Sequence, residues 1–148
     1  MKNKFEEVSQ WGARWLGNVA WQLHTVDEKA AYKLVLGYLR FLSKIAGITP
    51  AQLVALSPAI DIGCGAGFIT REFSRHGVRI SGSEYDDATV AFARQMQPAL
   101  DFKKIDLSYF LEPNQYGFIF SREVYLFTRA RDFEQQQRVL SNLGSSAK

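Results

Sequence analysis

Between Ala59 and Phe68 the chain passes from a short apolar run, Ala59-Ile60-Asp61-Ile62, into glycine at every second position. Gly63, Gly65 and Gly67 are separated only by the small residues Cys64 and Ala66. An apolar tetrad holding one carboxylate reads as a buried strand. Glycines so closely spaced supply backbone conformations that side chains resist, and they let another group come near the chain. A helix pattern follows from Phe68 through Arg75, so the loop's N–H groups are expected at a helix N-terminus, where anions and polar ligands are received. Strand, glycine loop and helix in succession demand a sheet with helices packed on it.

The length, 148 residues, fits one domain with a real core. Hydrophobic residues make up 47% and charged residues 22%, a balance that folds rather than staying disordered. Eighteen basic against fifteen acidic residues leave a net charge of +3 with no basic block, too weak a field to point to nucleic acid. The single cysteine, Cys64, excludes a disulfide framework, and with two histidines it does not make up a structural zinc set. No metal is expected. The first residues, Met1 to Ser9, are charged without an apolar core. Nowhere does the chain reach the roughly 18 apolar residues that a membrane span requires. A cytoplasmic setting without a membrane anchor fits best.

Upstream of the glycine loop the pattern is helical. Trp11, Trp15, Val19 and Leu23 recur every four positions between Phe5 and His24, which predicts one amphipathic helix; its tryptophans either pack as a docking stripe or stack on a ligand. A second helix is predicted from Thr25, capped with Glu28, to about Ala46, with Gly47 as its stop. Thr49-Pro50-Ala51-Gln52 begins a short third one, and Pro58 precedes the strand.

Downstream, strands and helices alternate. His76-Gly77 stops a helix, Val78 to Ser83 reads as a second strand, and Asp86 caps a helix carrying Val90, Phe92, Ala93 and Met96 as far as Pro98. Phe102 to Ile105 is a third strand, placed at an edge by Lys103 and Lys104. Phe118 to Ser121 is a fourth, followed by a helix from about Arg131 to Leu143 and a flexible stub, Gly144 to Lys148. Parallel strands need crossovers and helices supply them, so the fold class is α/β. Three sections result: a helical segment 1–57 acting as lid or packing extension, a core 58–143 and a tail 144–148.

In an open parallel sheet, ligands sit at the carboxyl ends of the strands. The residues there are the three glycines, Glu84, Asp106, and Arg122 with Glu123. Glu84, at about 20 residues from the glycines, is suited to accept both hydroxyls of a ribose. A dinucleotide fingerprint would place glycine where Phe68 stands, which weakens a nicotinamide reading.

Asp61-Ile62-Gly63-Cys64-Gly65-Ala66-Gly67 resembles the first motif of the class I S-adenosylmethionine-dependent methyltransferases. Ser81-Gly82-Ser83-Glu84 with Ala88 to Arg94 is similar to the family's second strand and helix. Ile105-Asp106-Leu107 looks like its adenine-facing acid, and Tyr116 to Glu123 resembles its fourth strand and the loop beyond. The resemblance implies a Rossmann-like sheet in the order 3-2-1-4 and S-adenosylmethionine as cofactor. It implies that Gly63, Cys64, Gly65 and Gly67 pass under the methionine portion, with Asp61 orienting the loop. It further implies Glu84 on the ribose, Asp106, Leu107 and Tyr85 around the adenine, and Ser121, at the end of the fourth strand, as a further cofactor-binding residue.

On that resemblance the activity is in-line methyl transfer to a small-molecule acceptor, since Ser121-Arg122-Glu123-Val124 is not the Asn-Pro-Pro-aromatic type associated with amino groups of nucleic acids and glutamine. Arg122 and Glu123 are the candidate catalytic residues, and Tyr125, His24 and Tyr32 are further candidate bases. Cys64 is either a nucleophile or a small residue required by a tight turn. Two departures stand out. Gly117 occupies a position where the family commonly has an acid, and the family's sheet has seven strands. A truncated form is therefore expected, with its fourth-strand edge open to a second copy or a partner. A non-catalytic binding module and an NAD-dependent oxidoreductase are the alternatives.

Overall fold

The computed structural model describes residues 28–107, 109, 112–122 and 132–148. The predicted helix at 5–24 with its tryptophans, His24, the Thr25 cap, Glu123 and Tyr125 lie outside the described residues.

Helix α1 (Glu28–Ile45) has Ala31 and Val35 fully buried, with Leu34, Tyr38, Leu39 and Leu42 half-buried beside them. This spacing of three and four makes one apolar face. Gly47 takes φ +68° just past the helix, as its stop requires, and the chain turns so that Ile48 N–H donates to the Leu42 carbonyl at 3.0 Å. Helix α2 (Pro50–Ala55) opens on a full capping box: Gln52 N–H donates to Thr49 Oγ1 at 3.3 Å, and Thr49 N–H to Gln52 Oε1 at 2.9 Å.

Strand β1 (Ala59–Ile62) is buried at every position and central. It pairs in parallel with β2 (Ile80–Glu84) on one side and β4 (Phe118–Ser121) on the other; β3 (Phe102–Lys104) pairs with β2. The sheet order is β3-β2-β1-β4, with every pair parallel. Helix α3 (Phe68–Arg75) connects β1 to β2 and α4 (Asp87–Met96) connects β2 to β3. Helix α5 (Phe133–Ser146) follows β4. The α/β Rossmann-like fold and its 3-2-1-4 order are thus as expected, although β2 begins and ends slightly later than its sequence pattern suggests.

Strand periodicity divides the core. Ile60 and Ile62 point to the face covered by α5, where they meet Leu107 and Val139. Ala59 lies on the opposite face, with Phe73 and Ile69 of α3 and Ala31 and Val35 of α1. Phe118 and Phe120 of β4 join that second face; Phe120 meets the Tyr38 ring edge-on at 5.1 Å and the Phe73 ring at 5.1 Å. Alternation therefore turns Asp61, between the two isoleucines, toward α3. Glu28 reinforces the helix pair, its Oε1 lying 2.7 Å from Arg71 Nη2.

Lys103 and Lys104 are exposed on the β3 edge, as predicted, and Lys104 Nζ reaches Asp87 Oδ2 at 2.6 Å. Asp86 caps α4, accepting from Thr89 N–H at 2.9 Å and from the Thr89 hydroxyl.

The chain's end differs from expectation. Helix α5 does not stop at Leu143 with a loose stub behind it; it continues through Gly144-Ser145 to Ser146, which is buried. The Ser145 and Ser146 hydroxyls donate one turn back, to Ser141 O and Asn142 O at 2.9 Å. The terminal carbonyls also find donors in the loop before β4: Asn114 N–H reaches Ser145 O, and Gln115 and Tyr116 N–H reach Ser146 O, all at 3.0 Å. Backbone groups satisfied in this way hold a Gly-Ser segment that composition alone marks as loose. Ala147 then pairs in parallel with Tyr116, and Lys148 N–H donates to Tyr116 O at 2.8 Å.

Gly117, the other departure, has a steric cause. A Cβ there would stand 2.1 Å from the Leu56 carbonyl oxygen, and its N–H donates to Pro58 O at 3.0 Å. The start of β4 lies too close to the α2 end for a side chain.

Candidate functional site

All strands are parallel, so their carboxyl ends share one edge of the sheet, and the register aligns them: Ile62 stands between Ser83 and Ser121, and Glu84 beside Lys104. The glycine loop begins at that edge. Gly63, Gly65 and Gly67 take φ of +75°, +55° and +75°, a region that other residues enter only with strain. Gly67 has a second reason to be glycine, since a Cβ would lie 2.6 Å from Cζ of Phe102.

The loop is tied to β2. Gly63 and Cys64 N–H both donate to Ser83 O, at 2.9 and 3.1 Å, and Gly65 N–H donates to Glu84 Oε1 at 2.7 Å. Tyr85 N–H donates to the other oxygen, Oε2, at 3.2 Å. Glu84 is thus held by a backbone donor on each oxygen, and each oxygen retains a lone pair. Burial raises the Glu84 carboxyl above its ordinary value, while the Gly65 and Tyr85 N–H groups oppose the rise.

Asp61 lies beneath the loop, 2% exposed, and accepts from Thr70 Oγ1 of α3 at 2.7 Å. Burial pushes its carboxyl up to about 7; the Thr70 hydroxyl opposes that rise and the Glu84 charge adds to it. Cys64 is half-buried by surface, and burial, with the Asp61 and Glu84 charges, pushes its thiol well above its ordinary range. A thiol that stays protonated suits the small turn residue and not the nucleophile.

The other expected residues fall around the same edge. Tyr85 is 66% exposed directly after Glu84. Asp106 is half-buried in the loop after β3, where Tyr109 N–H donates to its carbonyl at 3.1 Å. The Leu107 side chain is committed to the core with Ile60, Ile62 and Val139. Ser121 is exposed at the end of β4 and Arg122 half-buried after it. Tyr32 is half-exposed on α1. Phe68, in place of a fingerprint glycine, is buried in the core.

Two residues here escaped the sequence reading. Thr70 is a fully buried polar side chain on the apolar face of α3, among Phe68, Ile69 and Phe73; that mismatch was a visible signal. Asn142 of α5 donates through Nδ2 to Leu107 O at 3.0 Å and to Tyr109 O at 2.7 Å. It fastens the loop after β3 from more than thirty positions away, a contact that carries no local signal.

A family model described as a methyltransferase domain matches residues 60–146, more than half of the chain. No curated protein matches. Among solved structures the chain is similar to the S-adenosylmethionine-bound amino pentose methyltransferase CalS10 of Micromonospora echinaspora, at 16% identity and a TM-score of 0.56, over 67% of this chain and 43% of that one. It is similar to the sugar N-methyltransferase KedS8 of Streptoalloteichus, at 17% and 0.54, over 78% and 49%. It is also similar to PKMT2 of Rickettsia typhi in complex with AdoHcy, at 20% and 0.58, over 75% and 22%. The chain therefore spans half or less of the length of these structures. With the family model covering the glycine loop, all four strands and α5, the chain belongs to the methyltransferase-domain family, with the fold of the class I methyltransferases and S-adenosylmethionine as their cofactor.

Proposed function

We propose that the chain carries the cofactor site of a methyltransferase acting on a small molecule by direct in-line transfer. The observation that carries this reading is the 2.7 Å hydrogen bond from Gly65 N–H to Glu84 Oε1. It joins a left-handed glycine turn to a carboxylate at the next strand end, the pairing that a nucleoside with an amino-acid arm calls for.

The donor set suits that ligand. Glu84 has a lone pair left on each oxygen for the two ribose hydroxyls. Asp106, in the loop after β3, is proposed to meet the adenine amino group; the exposed Tyr85 ring to lie on the base, and Leu107, held in the core, to back that wall. Gly63, Cys64, Gly65 and Gly67 carry no bulk toward the methionine portion, and Asp61 underlies them. Bound there, S-adenosylmethionine supplies an electrophilic methyl on a sulfonium whose leaving group departs neutral. The protein's task is then alignment of acceptor and methyl carbon. Ser121, at the end of β4, is proposed to meet the cofactor, and Arg122 with Glu123, the next residue in sequence, to line the acceptor side. A small acceptor is favoured by Ser121-Arg122-Glu123-Val124 and by the sugar substrates named for CalS10 and KedS8.

A second reading, a binding module completed by a partner or a second copy, is favoured by β4. Among the described residues this strand pairs only with β1, and Ala147 and Lys148 begin a parallel pairing beside Tyr116. A further strand laid along Phe118 to Ser121 would satisfy an open edge.

Calorimetric titration with S-adenosylhomocysteine and with NAD, repeated on Glu84→Ala, tests the cofactor reading. Saturable adenosylhomocysteine binding that Glu84→Ala weakens at least tenfold is expected; binding of NAD alone would overturn it. Methyl transfer from labelled S-adenosylmethionine to a panel of small amines and alcohols then separates enzyme from binding module.

A further inference from the structure

We infer that Thr70 is a positioning residue of the cofactor loop, acting through its hydrogen bond to Asp61. The inference rests on the cofactor reading above. Residues 61 and 70 bracket the Gly63–Gly67 turn, one on β1 and one on α3. Their 2.7 Å hydrogen bond closes the loop at its base. Thr70 is 0% exposed and Asp61 2%, so neither has water as an alternative partner. A threonine in a helix commonly turns its hydroxyl to a carbonyl one turn back. Here it donates instead to a carboxylate nine positions earlier, where a buried acceptor would otherwise stand with a single lost donor.

The bond does two things. It fixes the Asp61 carboxylate on the α3 side of β1, below glycines that have no side chains of their own to set the loop. It also favours the ionised carboxylate, the form that attracts the cationic amino-acid arm of the ligand. The titratable groups that bear on Asp61 are Glu84 at the end of β2 and Cys64 in the loop; α3 offers Thr70 alone among the groups acting on it, and the β4 residue in register is Phe120. Glu84 opposes ionisation and the protonated Cys64 thiol carries no charge to favour it, which leaves Thr70 as the side chain that supports it.

The experiment is calorimetric titration of the whole chain with S-adenosylhomocysteine from pH 5.5 to 8.5, for the wild type, Thr70→Val and Thr70→Ser. Valine keeps the volume and removes the donor; serine keeps the donor. Thr70→Val is expected to weaken binding by about tenfold near pH 6.5 and to move the midpoint of the pH profile upward. Thr70→Ser should keep the wild-type midpoint even where it lowers the melting temperature. Proton release on binding, measured in the wild type in two buffers of different ionisation enthalpy, needs no variant and should be present near pH 7. An unchanged profile in Thr70→Val, a loss equal at every pH, or no proton release in a wild type that binds would each overturn the role of Thr70. A wild type that binds no adenosylhomocysteine overturns the cofactor reading itself, a result separable from the others.

Discussion

The Glu84 carboxylate receives the Gly65 N–H across 19 positions of sequence, at 2.7 Å. The loop after β1 is thereby locked to the end of β2 before any ligand arrives. Removing the carboxylate leaves the Gly65 and Tyr85 N–H groups without acceptors as well as depriving a ribose of its partner. Glu84→Ala is expected to weaken S-adenosylhomocysteine at least tenfold, on the order of 1.4 kcal/mol or more. Glu84→Gln, which retains one carbonyl oxygen, should fall between. Calorimetric affinities for the two variants check the order.

Gly67 combines φ +75° with a Phe102 ring that would stand 2.6 Å from an added Cβ. Gly67→Ala incurs both a backbone penalty and an overpacking penalty, together about 2 to 5 kcal/mol. Shortening Phe102 to Leu should relieve the second part only. Urea unfolding of the two single variants and the double variant would show a coupling of about 1 kcal/mol or more if the ring is the obstacle.

Asp61 gives the stability a pH dependence of defined sign. Its carboxyl is raised from 3.8 to about 7 in the fold, so the folded state holds a proton that the unfolded chain has already released. That contribution is complete below the ordinary carboxylate range, is lost as pH rises to about 7, and is flat above. Between pH 5 and 7 the wild type should lose roughly 2 to 3 kcal/mol from this group. Asp61→Asn should flatten that slope. Urea midpoints at pH 5, 6, 7 and 8 measure it.

The elements that follow from local chemistry were legible in sequence: the Thr49-Gln52 cap of α2, the Asp86 cap of α4, the Gly47 and Gly77 stops and the strand–glycine–helix unit at Ala59. Charge placed β3 at an edge, and the match of Glu84 to the glycines placed two strand ends together. What composition hid was tertiary satisfaction. Gly144-Ser145-Ser146 is weakly helical by propensity, yet it ends α5 because Asn114, Gln115 and Tyr116 supply donors to its last carbonyls. Gly117 likewise departs from its family's acid because the Leu56 carbonyl occupies the space, a reason that exists only once α2 and β4 are packed.

That close approach makes a prediction of its own. Gly117→Asp restores the residue type common in the family but must move the α2 end or the start of β4. A loss of about 1 to 3 kcal/mol is expected, with Gly117→Ala nearly as costly because the Cβ itself is the clash. Thermal unfolding distinguishes this from a charge effect, which Ala would not reproduce.

Asn142 separates stability from binding. Its amide joins Leu107 O at 3.0 Å and Tyr109 O at 2.7 Å, so α5 holds the loop that carries Asp106 while taking no part in the strand-end edge. The Tyr109 side of this contact is exposed to water; solvent can replace that bond, and the stability cost of Asn142→Ala should be modest, about 1 kcal/mol. The loop's freedom rises more than its stability falls, because two anchors are lost together. If Asp106 and Leu107 form the adenine wall, Asn142→Ala should weaken S-adenosylhomocysteine about three- to tenfold through reduced preorganisation, with hydrogen exchange accelerated at Leu107 and Tyr109 and unchanged at Gly65. Equal affinity in the variant, alongside faster exchange at Leu107, would remove this loop from the ligand site.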